Sequence, residues 1–178
     1  ATIDTTGGMI NGDIRLGSGD DLLAGGLLDI TSGTFTNITG VVDGGAGLDT
    51  VKVSLASSGT LDAVALPTNF EKMQLALVNE AAITLGSGLD LSNGISVGGS
   101  GSIINDRDIA STGSAISTYF SYPAVLSISN SGNIQATLAS GTDFALNLGM
   151  ITSGDNSGTI TATGGGGLSA SILTYGTT

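Results

Sequence analysis

The stretch VVDGGAGLDTVKVSLASSGTLDAVALPTNFEKMQLAL, from Val41 to Leu77, contains the unit on which the rest of the chain is built. A glycine-aspartate turn at 43–49 precedes an alternating apolar strand at 51–55, and a polar spacer leads to a second alternating strand at 73–77. Glycine allows backbone angles that residues with a Cβ avoid, so the chain can turn sharply before each strand. The order turn, strand, turn, strand predicts a protein made of short β-strands.

The composition of the 178-residue chain favours an all-β fold with a sizeable core. Hydrophobic residues make up 40% of it and charged residues 11%, while 30 glycines supply turns. No Cys and no His are present, which removes disulfides, thiolate metal sites and the usual general base. The net charge of −11 comes from 15 acidic residues against four basic residues that are scattered along the sequence. We therefore expect no nucleic-acid partner, because no basic patch is available to neutralise phosphates.

Short apolar blocks separated by Gly, Ser, Asn or Asp continue through the chain, and no segment has a helical periodicity that excludes a strand. Three similar lines, NDRDIAST, NSGNIQAT and NSGTITAT, begin at Asn105, Asn130 and Asn156. A period of about 25 residues is typical of a solenoid. In such a fold the isoleucines of the three lines stack inward, and the asparagine amides can form a hydrogen-bonded ladder at a corner. We predict a right-handed, single-stranded parallel β-helix with irregular coils, forming one segment over residues 1–178.

Several motifs carry a resemblance to a known family. The sequences LGSGDD at 16–21, DGGAGLDTV at 43–51 and LPTNFEKMQL at 66–75 resemble passenger segments of bacterial type V autotransporters, and the Asn-Ser-Gly-x-Ile lines are similar to later coils of that family. The resemblance covers about residues 14–163 and implies a parallel β-helix that is exported to the cell surface, often as an adhesin. It also implies that the chain is an internal or truncated passenger fragment.

The leading functional prediction is a rigid stalk or adhesion scaffold without catalysis. Its expected partners are molecules of a host or neighbouring cell surface, or a polysaccharide, and the open edges of a solenoid allow self-association. Its expected location is the cell surface or the extracellular space, after export across the outer membrane of a Gram-negative bacterium. No cofactor is predicted, apart from the calcium ion considered next.

A second interpretation is a calcium-dependent secreted β-solenoid module. The sequence GGAGLDTVK at 44–52 matches the calcium-binding nonapeptide G-G-x-G-x-D-x-U-x, and a partial copy lies at 17–21. The candidate ligands are Asp20, Asp21, Asp43 and Asp49, since calcium takes six to eight oxygen ligands. The partial copy is 28 residues from the full motif rather than nine, so the turns do not form a nine-residue array. A plain turn in which Asp accepts hydrogen bonds from backbone amides explains the same residues.

A third interpretation is a carbohydrate-active β-helix enzyme with paired aspartates, at Asp20 and Asp21 or at Asp106 and Asp108. Glycosidic chemistry needs two carboxyl groups that converge in a cleft. The low aromatic content of 4% and the lack of His argue against such a cleft and against a serine triad. The prediction is therefore that the chain is not an enzyme.

Two further predictions concern exposed and corner residues. The segment near 113–124 interrupts the repeats and is expected to protrude as a loop, on which Tyr119, Phe120 and Tyr122 are candidates for contact with a partner. Phe70 and Glu71 are expected to fasten a corner of a coil, with Phe70 in the core and Glu71 in solvent.

Overall fold

The computed structural model describes residues 1–63, 66–118 and 125–172. These residues form seventeen β-strands and no α-helix. The strands are β1 (Thr2–Asp4), β2 (Ile14–Arg15), β3 (Leu22–Asp29), β4 (Thr34–Phe35), β5 (Val42–Asp43), β6 (Thr50–Leu55), β7 (Gly59–Leu61), β8 (Lys72–Leu85), β9 (Ile95–Asn105), β10 (Ile109–Thr112), β11 (Ile116–Thr118), β12 (Val125–Asn130), β13 (Asn133–Thr137), β14 (Phe144–Ile151), β15 (Ser153–Asn156), β16 (Thr159–Thr163) and β17 (Gly166–Ile172). Within the described ranges, no helix has the length and hydropathy of a membrane span.

Eight of the seventeen strands form one parallel stack within a twelve-stranded sheet. Its order is β1-β3-β6-β8-β9-β11-β14-β17, which we call the main stack, and every neighbouring pair along it is parallel. The chain makes about six turns from β3 to β17, and β1 lies at the edge beyond β3. The predicted all-β class and the parallel β-solenoid are therefore confirmed.

A second face of the solenoid is a three-stranded parallel sheet in the order β10-β13-β16. In this sheet Ile109 pairs with Ile134, and Ile134 pairs with Ile160, as the three repeated lines predict. Ile109 and Ile134 are buried, whereas Ile160, on the outermost strand, is half-buried. The isoleucines therefore stack inward as expected.

Alternating apolar residues of the main stack form a continuous core column. Val53, Leu75 and Val97 lie directly above one another in the register and are almost fully buried. Burial of a side chain of this size contributes about 1.5–3 kcal/mol. Because every turn adds such residues to the same column, each turn stabilises its neighbours.

The predicted asparagine ladder is present, and its first two members, Asn105 and Asn130, are buried. Asn105 Nδ2 donates to Asn130 Oδ1 at 2.7 Å, and Asn130 Nδ2 donates to Asn156 Oδ1 at 2.6 Å. Each Nδ2 also donates to a backbone carbonyl two residues further along the chain. The ladder begins at Asn105 because Thr84 pairs with Ile104, which places the apolar Leu85 beneath the amide. Asn105 Oδ1 is accordingly buried without a hydrogen-bond partner.

The coils are irregular at their corners. The register between β8 and β9 shifts between Leu77 and Ala81, where Asn79 and Glu80 have φ of 54° and 57°. Both residues are exposed, and both adopt the left-handed conformation that usually needs glycine. The irregularity predicted from the sequence thus has a physical cause, since the chain changes direction here within one long strand.

Candidate functional site

The predicted calcium motif and its partial copy stack one turn apart. Ser18 forms a parallel bridge with Ala46, the N–H of Gly19 donates to Ala46 O at 2.8 Å, and the N–H of Ala46 donates to Gly17 O at 2.8 Å. The offset of 28 residues, which rules out a nine-residue array, is therefore one turn of the solenoid. A Cβ at Gly45 would lie 1.9 Å from Gly17 O, so the close approach of the two turns requires glycine there.

Acidic side chains connect the turns at this corner. Asp49 Oδ1 accepts the N–H of Asp21 at 2.7 Å, and Glu71 Oε2 accepts the N–H of Asp49 at 2.9 Å. On the exposed side, Asp20 Oδ1 accepts the N–H of Leu48 at 2.9 Å. Hydrogen bonds from backbone amides to carboxylates are stronger than neutral ones, so these acids hold adjacent turns together.

Glu71 fastens the corner as expected but is half-buried rather than in solvent, and Phe70 lies only partly in the core. Glu71 is half-buried and bonds the amide of Asp49 instead of lying free in solvent. Phe70 is half-buried and packs against the core. The sequence does not identify the partner of Glu71, because that contact depends on the register between coils that are 22 residues apart.

The four predicted calcium ligands do not converge. Asp21 and Asp49 meet at the buried corner, Asp20 faces solvent, and Asp43 Oδ1 accepts the N–H of Gly45 at 3.0 Å and Asn69 Nδ2 at 2.8 Å. Across the described ranges, no group of three or more His, Cys, Asp or Glu is placed to hold a metal ion. Asp21 Oδ2 and Asp49 Oδ2 are buried without a hydrogen-bond partner, whereas Asp21 Oδ1 pairs with the N-terminal ammonium of Ala1. Calcium binding here stays a prediction.

The second pair of aspartates lies at the corner between β9 and β10. Asp106 and Asp108 are exposed, and Asp108 Oδ1 accepts the backbone N–H of Asn133 at 3.2 Å and its Nδ2 at 2.8 Å. The guanidinium of Arg107 donates to the carbonyls of Gly86 and Leu89 in the preceding turn. These contacts give Arg107 and Asp108 a role in joining turns.

Hydrogen bonds lower the pKa of four exposed carboxyl groups. A hydrogen bond from the Thr6 hydroxyl lowers the pKa of Asp4, and backbone amides of Val41, Thr31 and Ser92 lower the pKa of three others, which are Asp13, Asp29 and Asp90. A carboxyl group that serves as a general acid needs the opposite shift. These four groups therefore favour the ionised form.

A polar groove crosses the outward face of the main stack. It has a volume of about 360 Å³ and runs over β6, β8, β9 and β11. Its lining residues are Thr50, Lys72, Met73, Gln74, Asn93, Gly94, Ile95, Ser96, Ser114 and Ser117. No Asp or Glu belongs to this set. We call this feature the lysine groove.

Lys72 lines the lysine groove, and Lys52 lies beside it. Thr50 pairs with Lys72 and Lys52 pairs with Gln74, so Lys52 and Lys72 are diagonal neighbours on adjacent strands. With a strand spacing of about 4.8 Å and a rise of about 3.3 Å per residue, the Cα atoms of such neighbours lie about 8 Å apart. Among the described residues, neither lysine forms an ion pair with a carboxylate, whereas Arg15 lies 3.1 Å from Asp13. The basic residues are therefore less scattered than the sequence suggests.

The lysine groove is not predicted from the sequence, although the sequence contains part of its pattern. Both lysines occupy outward positions of alternating strands, next to the inward Val51 and Met73. Only the pairing of β6 with β8 shows that these outward positions are neighbours.

The proposed partner-contact residues Tyr119, Phe120 and Tyr122 lie outside the described residues. Of the segment near 113–124, Ile116–Thr118 form β11 and belong to the main stack.

The chain is a parallel β-solenoid in which acidic side chains accept hydrogen bonds from the amides of neighbouring turns, and the lysine groove crosses its main stack. Comparisons with protein-family models, curated proteins and solved structures found no match.

Proposed function

We propose that this chain is a rigid, non-catalytic segment of a surface-exposed, autotransporter-like protein, where it acts as a stalk or adhesion scaffold. The observation that carries the proposal is the continuous main stack, in which parallel strands of successive turns share one core column. Backbone hydrogen bonds run along the whole stack, and the asparagine ladder adds side-chain bonds parallel to them. Such a body keeps its shape while it presents its outward side chains.

The chemistry of the described carboxyl groups supports a role without catalysis. Asp49, Glu71 and Asp108 accept backbone amides of neighbouring turns. Hydrogen bonds lower the pKa of Asp4, Asp13, Asp29 and Asp90, which suits hydrogen-bonded anions rather than proton donors. The acidic side chains thus have a use in holding the coils together.

Export to the surface of a Gram-negative bacterium belongs to the same proposal. Its support is the resemblance of the glycine-aspartate and Asn-Ser-Gly-x-Ile motifs to autotransporter passengers. A solenoid also folds by adding turns to its neighbours, which suits a chain that emerges gradually from a membrane.

Bead adhesion tests the adhesive role. Beads coated with the full chain should remain on epithelial or bacterial cells under flow more often than beads coated with an unrelated protein of similar negative charge. Equal retention of the two kinds of bead would contradict adhesion.

Hydrogen exchange tests the scaffold role separately. Slow exchange is expected for the backbone amides of β6, β8 and β9, and fast exchange there would contradict rigidity.

A calcium-dependent module is the second candidate. The specific observation in its favour is the pair of buried, unpartnered oxygens, Asp21 Oδ2 and Asp49 Oδ2. A bound cation would offset the cost of burying these carboxylates. The effect of calcium on thermal unfolding distinguishes the two candidates.

A further inference from the structure

The lysine groove differs in charge from the rest of the molecule. The chain has 15 acidic residues and only four basic ones, yet no Asp or Glu lines the groove. Lys72 lies in it, and Lys52 lies beside it, opposite Gln74. Two cations without ion-pair partners among the described residues therefore share one face of a strongly acidic protein. Two lysines at a groove that no carboxylate lines favour an anionic ligand.

The shape of the groove favours an extended ligand. Lys52, Gln74, Ser96 and Ser117 pair in register across four consecutive strands of the main stack, which places them along a line of about 14 Å at the usual strand spacing. The strand spacing of about 4.8 Å is comparable to the length of one sugar residue in a polysaccharide. A linear chain along the stack would therefore meet a new strand with nearly every residue.

The side chains of the groove suit a hydroxylated ligand better than a protein. Ser96 Oγ and Ser117 Oγ are 2.7 Å apart, and Gln74 and Asn93 add amide donors and acceptors. The two apolar lining residues, Met73 and Ile95, are buried beneath the surface. The groove thus lacks the exposed apolar anchors on which most protein partners depend. It also lacks the aromatic platforms typical of sites for single-stranded nucleic acid.

We propose that the lysine groove binds an acidic polysaccharide that lies along the axis of the main stack. Lys52 and Lys72 contact its anionic groups, and the Ser, Gln and Asn side chains hydrogen-bond its hydroxyl groups. This inference rests on the proposed adhesive function and names the surface and the class of partner that would carry it. Many weak contacts along one chain would give the attachment its strength.

Biosensor surfaces that carry carboxymethyl-dextran, unmodified dextran or double-stranded DNA test the proposal with the full chain. We expect binding to carboxymethyl-dextran that weakens as salt is raised, and little binding to dextran. Since the net charge of the chain is −11, overall attraction to a polyanion is unfavourable, so binding depends on a local site. Equal binding of dextran, stronger binding of DNA, or no binding of carboxymethyl-dextran at low salt would overturn the proposal.

Paired substitutions locate the site. Lys72→Gln and Lys52→Gln should each weaken binding about 1.5-fold to 5-fold, the range expected for an exposed ion pair. Arg15→Gln removes the same charge outside the groove and should leave binding unchanged. Ser96→Glu places a carboxylate in the groove and should abolish binding, whereas Thr161→Glu, an exposed hydroxyl-to-carboxylate change on β16, should not. Equal effects in each pair would contradict the assignment.

Two readouts separate failure of this inference from failure of the proposed function. Circular dichroism melting curves of every variant should match that of the parent chain, so that lost binding reflects the groove. In the bead assay, free carboxymethyl-dextran should compete with cell adhesion. If beads still adhere to cells in excess carboxymethyl-dextran, the groove proposal is overturned and the proposed scaffold function stands. If the chain binds carboxymethyl-dextran but the beads do not adhere to cells, only the proposed cell adhesion is contradicted.

Discussion

The carboxylate of Asp49 accepts the backbone N–H of Asp21 at 2.7 Å across a separation of 28 residues. Asp49 is fully buried, and its own N–H donates to Glu71 Oε2. One acidic residue thus connects three successive turns of the solenoid. The glycine-aspartate motif therefore serves as a fastening between coils as well as a turn within one coil.

Replacement of Asp49 by Ala should lower the free energy of unfolding by about 1.5–3 kcal/mol, the usual contribution of a hydrogen bond to a charged group. Asp20→Ala is the matched control, because Asp20 also accepts an amide of the neighbouring turn but is exposed. Its effect should stay below about 1 kcal/mol. Urea denaturation of both variants measures the difference, and equal losses would show that burial of Asp49 is unimportant.

Calcium should have little effect on stability if the corner works through hydrogen bonds alone. We expect the melting temperature by circular dichroism to be the same with millimolar calcium and with excess chelator. A cation on Asp21 Oδ2 and Asp49 Oδ2 would instead raise the melting temperature through preferential binding to the folded state. A marked fall on chelation would make the calcium-dependent module the leading function.

Much of the fold could be predicted from local patterns. The alternation at Val51 and Val53 predicts inward residues of a strand, and the spacing of the three asparagines predicts both the solenoid and the ladder. These predictions succeed because side-chain period and repeat length are properties of short segments.

The sites were harder to predict, since they depend on the pairing of coils whose lengths vary. Met73 pairs with Ile95, 22 residues later, whereas Ile116 pairs with Leu146, 30 residues later. No fixed period aligns Lys52 with Gln74, or Glu71 with the amide of Asp49. The lysine groove and the corner formed by Asp21, Asp49 and Glu71 can therefore be recognised only once the pairing of the strands is known.

Asn130→Ala should destabilise the protein by about 2–4 kcal/mol. The substitution removes the central rung of the ladder. The buried Asn105 amide keeps only its bond to Arg107 O, and the carbonyl of Gly132 loses its bond from Asn130 Nδ2. Asn156→Ala should cost less than about 1.5 kcal/mol, because Asn156 is exposed at the end of the ladder. Chemical denaturation of both variants tests this order, and a larger loss for Asn156→Ala would contradict the ladder as a buried support.

Glu80→Gly should stabilise the protein by about 0.5–1 kcal/mol. Glu80 has φ of 57°, and a left-handed conformation costs an L-residue about 1–2 kcal/mol. Glycine relieves this cost, although the greater freedom of glycine in the unfolded chain offsets about 0.4–1 kcal/mol of the gain. Glu80→Ala is the control, because it removes the same charge but keeps the Cβ and should give no gain. A lower melting temperature for Glu80→Gly than for Glu80→Ala would contradict strain at this corner.

The pH dependence of stability should reveal the hydrogen-bonded aspartates, of which Asp90 is an example. The backbone amide of Ser92 and then its hydroxyl lower the pKa of Asp90 from its ordinary value of 3.8. The ionised carboxylate therefore contributes stability above the unfolded-state pKa, and this contribution is lost as the pH falls through the lower folded-state pKa. Asp90→Asn keeps an oxygen acceptor but loses the charge, so this variant should be less stable than the parent chain at pH 7. Because Asp90 is exposed, the difference in the free energy of unfolding should stay below about 1 kcal/mol. Melting curves from pH 7 to about pH 2 should show this difference shrinking below about pH 4. A difference that stays constant through this range would mean that the charge of Asp90 contributes nothing to stability.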